Sequence, residues 1–446
     1  MDTHGEKTGI FAKKGLWLGV GVGLFIVIAF ILPTPQSLTN VMQEYGYVEK
    51  MIDWEIAENV EEAAQKTMIV LGIVPMAVIF FAVEALPIGT TGILMPILAY
   101  FFGLLPFNMI GKTFAGDAPL FMLGVFALGG TVVEVGFHKR LAVWLLGWTK
   151  GFWVPMIVLC FSMSIVGSFM SAPAMCSFMV PVMMAVYYGS VKATSPDEKV
   201  IHDPALAKYL LFSLCFALNM GGPGTPSAGG RNVIMMGFFT DYGIPITYSG
   251  WMKYGWGLVP LGSAMLLLYM ATFFSKKIKT RDLTPGLQYI KDETRKMGKM
   301  SYAEWVTAVT LFCIVALWIF GGEATGLGGP ALLALVVPVL FKSVKFENIL
   351  NRISFNAWFM YCGALTLGAL LKESGGALWL AKTFLHGLSQ VGMDKGYGLW
   401  VGMSGFSGLV TNFMSDAATV ALIGPIVVPM GIMTQVAGEP WAIGMA

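Results

Sequence analysis

Long apolar runs alternate with short charged segments along the whole chain. The first run, residues 16–33, is long enough to cross a bilayer, and Lys7, Lys13 and Lys14 precede it. Positive charge accumulates on the cytoplasmic side of a span, so we expect a cytoplasmic N-terminus. No small-residue cleavage site follows the run, and the sequence therefore predicts a retained helix and not a signal peptide.

Further apolar runs continue this pattern to the end of the chain. We predict spans at residues 68–86, 91–105, 119–135, 254–274, 305–320, 326–340 and 358–371. The acidic segment 34–66 is predicted to lie outside, partly as an interfacial helix, whereas the excess of Lys and Arg in the linker 276–303 places that linker inside. The pattern predicts an all-α polytopic protein integral to a lipid bilayer.

Two apolar runs are much longer than one crossing needs and are predicted to turn back as re-entrant hairpins, at residues 153–188 and 398–436. Polar residues lie together near the middle of the second run: Thr411, Asn412, Ser415, Asp416 and Thr419. Polar groups at membrane depth persist only where they are buried in protein or line a wet cavity. An ionisable Asp416 at this depth is costly and indicates a functional site.

The two hairpin tips share a sequence pattern. Residues 167–182 align without a gap with residues 411–426, and the identical pairs are Phe169/Phe413, Met170/Met414, Ser171/Ser415, Ala174/Ala418 and Pro181/Pro425. An odd number of predicted crossings separates the hairpins, so they enter from opposite faces. Inverted-topology repeats are typical of secondary transporters with a binding site near the midplane.

The repeat divides the chain into four predicted segments. These are an N-terminal span with its acidic external segment (1–66), a first repeat with a broken helix at 204–239 (67–275), the basic linker (276–303) and a second repeat (304–446). Pro204 opens the first broken helix, and Pro440 is its counterpart, but only six residues follow Pro440. We therefore expect a truncated chain that lacks the second broken helix; the alternative is a departure from the symmetric plan.

The predicted break in that helix is rich in glycine and proline, at residues 221–232. This composition cannot continue a helix, so it frees carbonyl groups for a cation and exposes helix N-termini toward an anion. A surface loop between two spans is the alternative. The long apolar flanks favour one interrupted crossing.

Two charged residues are candidates for the site. The Arg231 guanidinium suits bidentate pairing with a carboxylate or sulfate; otherwise it snorkels to the interface or pairs with Asp416. Asp416 has three interpretations: a Na⁺ ligand, a proton carrier whose pKa is raised by burial, or an ion-pair partner. Glu84 and Glu134, near the ends of spans, are predicted to be structural.

Composition excludes several classes of protein. Of 446 residues, 56% are hydrophobic and only 12% are charged, about half the charged fraction of a soluble domain. The net charge of +2 comes without a basic stripe, so no nucleic-acid partner is predicted. The five cysteines are scattered in apolar segments and are predicted to be small core residues.

An intramembrane enzyme is disfavoured, because hydrolysis needs a nucleophile with a base, or a metal centre. The four histidines, His4, His138, His202 and His386, fall in loops or at predicted membrane edges. Neither His-Glu-x-x-His nor Gly-x-Ser-x-Gly occurs in the sequence.

From about residue 69 onward, the chain resembles the divalent anion/sodium symporter family of the wider ion transporter superfamily. The similar stretches are Glu84-Ala85-Leu86-Pro87-Ile88-Gly89, Phe137-His138-Lys139-Arg140-Leu141-Ala142, the Gly-rich break with its closing Asn232, and residues 411–425. The resemblance implies a homodimer whose transport domain moves like an elevator, with Na⁺-coupled uptake of dicarboxylates, citrate or sulfate. A bacterial inner membrane is the expected location.

The resemblance also implies site residues, by position. One Na⁺ site would use Ser171, Ala172 and Gly224, and the other would use Thr411, Ser415 and Asp416. The anion would bind between the two tips, which are Ser171, Ala172 and Pro173, and Ser415, Asp416 and Ala417. Asn232, which closes the break, and Arg231, a candidate by its own chemistry, complete the predicted substrate-binding residues.

Both tips depart from the family's Ser-Asn-Thr pattern, since they have Ser-Ala-Pro and Ser-Asp-Ala at these positions. Our hypothesis is that Arg231 takes over anion recognition and that Asp416 takes over cation coupling, with Na⁺ favoured over H⁺. Two alternatives stay open: an anion exchanger without cation coupling, and a transport-dead sensor.

Overall fold

The structure is a computed structural model that describes residues 14–170, 172–194, 202–296 and 298–434. Helices account for all the regular structure within these residues. This confirms the predicted all-α fold. Several predicted features lie outside the described residues: Lys7, Lys13, Ser171, Pro440 and the last two positions of the second hairpin.

Eight α-helices lie between residue 14, where the described chain begins, and the first predicted hairpin. They are α1 (Lys14–Ile26), α2 (Gln36–Glu44), α3 (Tyr47–Asp53), α4 (Val60–Val83), α5 (Ile88–Phe101), α6 (Phe107–Ala115), α7 (Asp117–Glu134) and α8 (Phe137–Leu146). A π-helical turn, Val27–Ile31, extends α1. The acidic segment 34–66, predicted to lie outside, thus contains the short helices α2 and α3.

Seven helices form the middle of the chain. They are α9 (Trp153–Phe169), α10 (Ala172–Thr194), α11 (Pro204–Met220), α12 (Gly230–Asp241), α13 (Tyr248–Gly255), α14 (Leu258–Phe273) and α15 (Thr284–Lys296). The predicted span at 254–274 is therefore divided between α13 and α14. The basic linker is largely helical, since α15 occupies its centre.

The last seven helices begin after the linker. They are α16 (Tyr302–Phe320), α17 (Gly328–Leu340), α18 (Phe346–Arg352), α19 (Phe355–Glu373), α20 (Gly376–Ser389), α21 (Gly396–Val410) and α22 (Asp416–Thr434).

Six helical stretches among the described residues are long and apolar enough to cross a membrane. They are Lys14–Ile31, Val60–Val83, Phe107–Glu134, Tyr248–Lys277, Tyr302–Phe320 and Asp416–Thr434. A seventh crossing is possible through α18 and α19, which meet at a bend of 64°. Helices α9 and α11 are apolar but only 17 residues long, at the lower limit for a crossing.

The described residues group into two compact units. The first unit contains residues 14–119, 234–245 and 354–434, and the second contains residues 120–233 and 246–353. The chain passes between the units four times: within α7, within α12, between α12 and α13, and between α18 and α19. The predicted pair of repeats along the sequence stays a prediction.

Close backbone contact between α5 and α19 organises the first unit. A Cβ atom at Gly363 would lie 2.2 Å from the carbonyl oxygen of Gly92, so both positions require glycine for this approach. Helix α4 packs against α1 and α5, and its buried face carries Phe80 and Ile73. These helices surround the main core of this unit.

In the second unit, α11 packs against α9, α10 and α14. The start of α11 is fixed by Asp203, whose buried carboxylate accepts hydrogen bonds from Leu206 N (3.1 Å), Lys279 N (2.8 Å) and Thr280 N (3.0 Å). One side chain therefore caps the helix and attaches it to the beginning of the linker.

A buried ion pair joins α8 to the far end of the linker in the same unit. Arg140 Nε donates to Glu304 Oε1 at 2.5 Å, and its other nitrogens donate to the carbonyl oxygens of Gly298 and Lys299. Glu304 also closes a capping box with Ser301 at the start of α16. Arg140 thus has a structural role, because its guanidinium connects α8 to the linker and to α16.

Gly363→Ala should lower the free energy of unfolding by about 1–3 kcal/mol, because the added methyl group cannot fit against Gly92 without moving a helix. Thermal unfolding of the purified protein in detergent measures this effect. Gly387→Ala is the matched control, since that exposed position in α20 has no other atom within 4 Å. We expect the control to be neutral or stabilising. Equal melting temperatures for the two variants would contradict the close contact of α5 with α19.

Candidate functional site

The first predicted tip lies between α9 and α10. Helix α9 ends at Phe169, and Met170 follows in an extended conformation with φ −134° and ψ 146°. Ser171 lies outside the described residues, whereas Ala172 opens α10 and Pro173 is its second residue. Proline is well tolerated in a first helical turn, because no helical partner is available there for its missing N–H group.

The predicted break in the next helix is present. Helix α11 ends at Met220, a 3₁₀ turn covers Pro226–Ala228, and α12 begins at Gly230. Arg231 and Asn232 therefore belong to the first turn of α12, and the last three residues of the predicted break, 230–232, are helical. Thr225 and Ser227 are buried, which favours an interrupted helix over a surface loop.

Glycines bring the break into direct backbone contact with α9. A Cβ atom at Gly167 would lie 2.6 Å from Leu218 O, and one at Gly221 would lie 2.2 Å from Ser164 O. A Cβ atom at Gly224 would lie 2.6 Å from Ser168 Oγ. The predicted ligand residue Gly224 is therefore adjacent to the end of α9.

A chain of buried hydroxyl groups connects α9, the break and α13. Ser168 Oγ donates to Gly221 O at 3.0 Å, and the Thr225 hydroxyl donates to the carbonyl oxygen of Ser168. Thr225 Oγ1 lies 3.1 Å from Ser227 Oγ, which in turn lies 2.8 Å from Tyr248 Oη. The interruption is therefore rich in oxygen atoms and shielded from bulk water.

Asn232 supplies further hydrogen-bond donors to the backbone carbonyl groups of the break. Its Nδ2 atom donates at 2.8 Å to the carbonyl oxygens of both Gly222 and Thr225. Gly222 O, at the interruption, and Thr225 O, which also accepts from Ala228 N at 3.2 Å in the 3₁₀ turn, thus share one buried amide. This contact gives the closing asparagine of the break a structural role.

The Arg231 guanidinium folds back over the same turn. A Cβ atom at Gly222 would lie only 1.8 Å from Arg231 Nη2, whereas one at Gly229 would lie 3.9 Å from the guanidinium. Gly222 therefore makes room for the charge, and a fixed positive group lies against the break. The side chain is half-buried.

The second predicted tip joins α21 to α22 in the first unit. Thr411 Oγ1 and Asn412 Nδ2 both donate to Gly408 O, at 2.9 and 2.7 Å. The Ser415 hydroxyl caps α22 by accepting from Ala418 N at 3.3 Å, and Asp416 is the first residue of that helix. Asp416 is exposed and Ala417 is half-buried.

Helix α22 contains Pro425 and Pro429, and this spacing of four has a structural consequence. Pro429 has no N–H group, so the carbonyl oxygen of Pro425 loses its helical donor. Tyr242 Oη donates to that oxygen at 3.2 Å. The tyrosine, just after the end of α12, thereby attaches α12 to α22. The proline spacing is the sequence pattern that points to the need for a donor.

Small residues support this attachment. A Cβ atom at Gly424 would lie 2.5 Å from the Phe238 ring, and one at Gly368 would lie 2.1 Å from it. The Phe238 side chain therefore inserts between α19 and α22. Gly224, Arg231 and Asn232 lie together in the second unit, whereas Thr411, Ser415 and Asp416 lie together in the first unit.

Glu134 forms an interhelical contact, as the sequence predicts. It accepts from Asn348 Nδ2 at 2.8 Å and from Arg352 Nε and Nη2 at 3.1 and 3.0 Å. Glu84 ends α4 in a left-handed conformation with φ 48°. The roles of Ser168, Thr225 and Tyr242 were not predicted, because they depend on contacts between distant helices.

Comparison with known families matches residues 78–446 to the model of a citrate transporter family. The chain belongs to the citrate transporter family. This confirms the resemblance found in the sequence, which rested on motifs from about residue 69 onward. A member of the citrate transporter family is an integral membrane transporter, which confirms the prediction that the protein is not an enzyme.

Curated relatives of this citrate transporter family member are distant. A sodium-dependent high-affinity dicarboxylate transporter of Caenorhabditis elegans is 22% identical over 393 residues, which cover 78% of this chain and 68% of the relative. A sodium-dependent dicarboxylate transporter of Staphylococcus saprophyticus is 22% identical over 406 residues, 84% of this chain and 75% of the relative. An uncharacterised transporter of Haemophilus influenzae is 22% identical over 392 residues, with coverage of 84% and 79%.

Asn232→Ala should destabilise this family member by about 1–3 kcal/mol, because the carbonyl oxygen of Gly222 loses its donor while that of Thr225 keeps Ala228 N at 3.2 Å. Thermal unfolding measures the change, and Asn219→Ala is the matched control. Asn219 is exposed near the end of α11 and donates only to Cys215 O in its own helix, so its removal should be nearly neutral. If both variants melt alike, Asn232 does not hold the break.

Proposed function

We propose that this protein is a secondary active transporter that couples Na⁺ to the symport of a di- or tricarboxylate. Family membership and the names of the distant relatives support the substrate class and the cation. The observation that carries the proposal is the buried, oxygen-rich break between α11 and α12, with a guanidinium folded over it. An interrupted helix of this kind supplies oxygen ligands to a cation and charge to an anion in one place.

The first cation site is proposed at the end of α9 and the break. Its ligands would be Ser171, Ala172 and Gly224, as the resemblance implies. Hydroxyl and carbonyl oxygens surround Gly224, and oxygen donors suit a hard cation such as Na⁺. The donor set of this region therefore fits the proposed ion.

The second cation site is proposed at the other tip, with Thr411, Ser415 and Asp416. The carboxylate of Asp416 follows directly on the Ser415 cap of α22. This tip supplies hydroxyl and carboxylate oxygens, which also suit Na⁺. Proton transfer by Asp416 is the competing form of coupling.

The anion is proposed to bind to Arg231, Asn232 and the two tips, which contribute Ser171, Ala172, Pro173, Ser415, Asp416 and Ala417. A guanidinium pairs bidentately with a carboxylate, and this supports Arg231 as the principal anchor. Asn232 would act by holding the carbonyl groups of the break in place.

Transport by an elevator movement within a homodimer is part of the proposal, as the resemblance implies. We also propose a bacterial inner membrane and a cytoplasmic N-terminus. The excess of Lys and Arg in the linker 276–303 supports this orientation.

An anion exchanger without cation coupling is the second candidate. The position of Arg231 favours it, because a permanent positive charge against Gly222 opposes the entry of a second cation at the break. Dependence on Na⁺ separates the two functions.

Uptake of labelled citrate or succinate into proteoliposomes should follow an inward Na⁺ gradient and should be weak with a proton gradient or with none. Labelled sulfate is the comparison substrate. Asp416→Asn should raise the Na⁺ concentration for half-maximal uptake at least about tenfold, equivalent to about 1.4 kcal/mol. Asp394→Asn, next to the start of α21, is the matched control.

Uptake that depends on neither the Na⁺ gradient nor the proton gradient, but requires anion inside the vesicle, would show exchange and not symport. Uptake driven by the proton gradient, and lost in Asp416→Asn, would assign Asp416 as a proton carrier. Sulfate transport without citrate or succinate transport would contradict the proposed substrate class.

Arg231→Lys should reduce uptake at least about tenfold, since a bidentate, charge-assisted contact contributes about 1.5–3 kcal/mol. Gly222→Ala should have a similar effect, because its methyl group displaces the guanidinium. The matched controls are Arg281→Lys in the linker and Gly229→Ala, where a methyl group fits at ordinary contact distance. Wild-type uptake by both Arg231→Lys and Gly222→Ala would exclude Arg231 from anion binding.

A further inference from the structure

A surface cavity of about 860 Å³ lies at one end of the second unit, apart from the break. The ends of α7 and α17 and the starts of α16 and α18 enclose it. Residues that matter for its chemistry are Glu134, Ala303, Lys342, Ser343, Lys345 and Asn348. Its volume is in the range of ligand-binding pockets, about 300–1,000 Å³.

The cavity has a surplus of positive charge. The carboxylate of Glu134 is compensated by Arg352 and Asn348, and Glu347 is the other carboxylate of the lining. Lys342 and Lys345 are both exposed, and within the described ranges neither forms an ion pair. Two lysines thus face one uncompensated carboxylate.

Lys342 adopts a backbone conformation that normally belongs to glycine, with φ 52°. A left-handed conformation brings the Cβ atom of a side chain close to the following carbonyl oxygen and is therefore strained for any residue other than glycine. The turn is held by Lys342 N donating to Val339 O at 2.9 Å, and by the amide and hydroxyl of Ser343 donating to Pro338 O at 2.9 and 2.8 Å. Glycine would make this turn without strain, so the lysine at this position points to a role for its charge.

The surface beside the two lysines is apolar. Leu340 is 70% exposed and Val336 is 57% exposed along α17, while Phe341 and Phe346 are exposed on either side of the turn. A small soluble anion would use the lysines and leave this surface uncovered. A ligand with an anionic head and a long apolar tail would use both.

We propose that this cavity binds the phosphate headgroup of an acidic phospholipid, with the acyl chains along the exposed face of α17. Lys342 and Lys345 would hold the phosphate, and Phe341 and Phe346 would lie at the level of the headgroup. Ala303, which ends the basic linker, lines the same cavity, and the predicted cytoplasmic location of that linker would place the site where acidic lipids attract basic segments. The bound lipid would stabilise the turn between α17 and α18.

The test is thermal unfolding of the full chain in neutral detergent, titrated with phosphatidylglycerol, phosphatidylcholine or glycerol 3-phosphate. Phosphatidylglycerol should raise the melting temperature to a plateau, whereas the neutral lipid and the tail-free anion should not. The variant Lys342→Gly/Lys345→Gln should need about fivefold more phosphatidylglycerol for each lysine removed. Lys395→Gln, an exposed lysine at the start of α21, should titrate like the wild type.

Lys342→Gly keeps the test decisive, because glycine relieves the strain of the turn and should leave the lipid-free protein at least as stable. A half-saturating concentration unchanged in the double variant would overturn the proposal. An equal shift with glycerol 3-phosphate would replace the lipid with a soluble phosphate. A shift by phosphatidylcholine equal to that by phosphatidylglycerol would also overturn it.

Discussion

The need to satisfy backbone polar groups that are buried inside the protein governs the candidate site. Where α11 stops at Met220, its last carbonyl groups lose their helical partners, and burial keeps water from replacing those partners. Ser168 and Asn232 supply donors to the break from two sides, through Gly221 on one side and through Gly222 and Thr225 on the other. An interrupted helix can persist here because neighbouring helices complete its hydrogen bonding.

The same constraint acts on α22 through a different residue. Pro429 removes the donor for the carbonyl oxygen of Pro425, and the hydroxyl group of Tyr242 replaces it. Glycines allow the helices to approach closely enough for such contacts, at Gly221 against α9 and at Gly424 against Phe238. The interrupted helices therefore depend on the close packing, because only nearby helices can supply donors to their carbonyl groups.

The two hairpin tips share Phe-Met-Ser, yet their surroundings differ. The end of α9 is packed against α11, and its Ser168 and Gly167 are buried, whereas Asn412, Ser415 and Asp416 at the other tip are exposed. A guanidinium is fixed at the break, while a carboxylate lies on an exposed helix start. At the break, a positive group and oxygen atoms lie together in the second unit, whereas the exposed tip in the first unit supplies hydroxyl and carboxylate oxygens.

Hydropathy alone determined the class of the protein and the approximate bounds of its helices, because apolar length sets which segments cross a bilayer. The glycine and proline content of residues 221–232 also determined that a helix is interrupted there, since those residues cannot continue one. The sequence pattern did not identify which groups donate hydrogen bonds to the backbone carbonyl groups at the interruption. Ser168, Thr225 and Tyr242 act on carbonyl groups up to 183 residues away along the chain. Only tertiary packing decided these partners, because a hydroxyl group donates to whichever oxygen the neighbouring helix brings within reach.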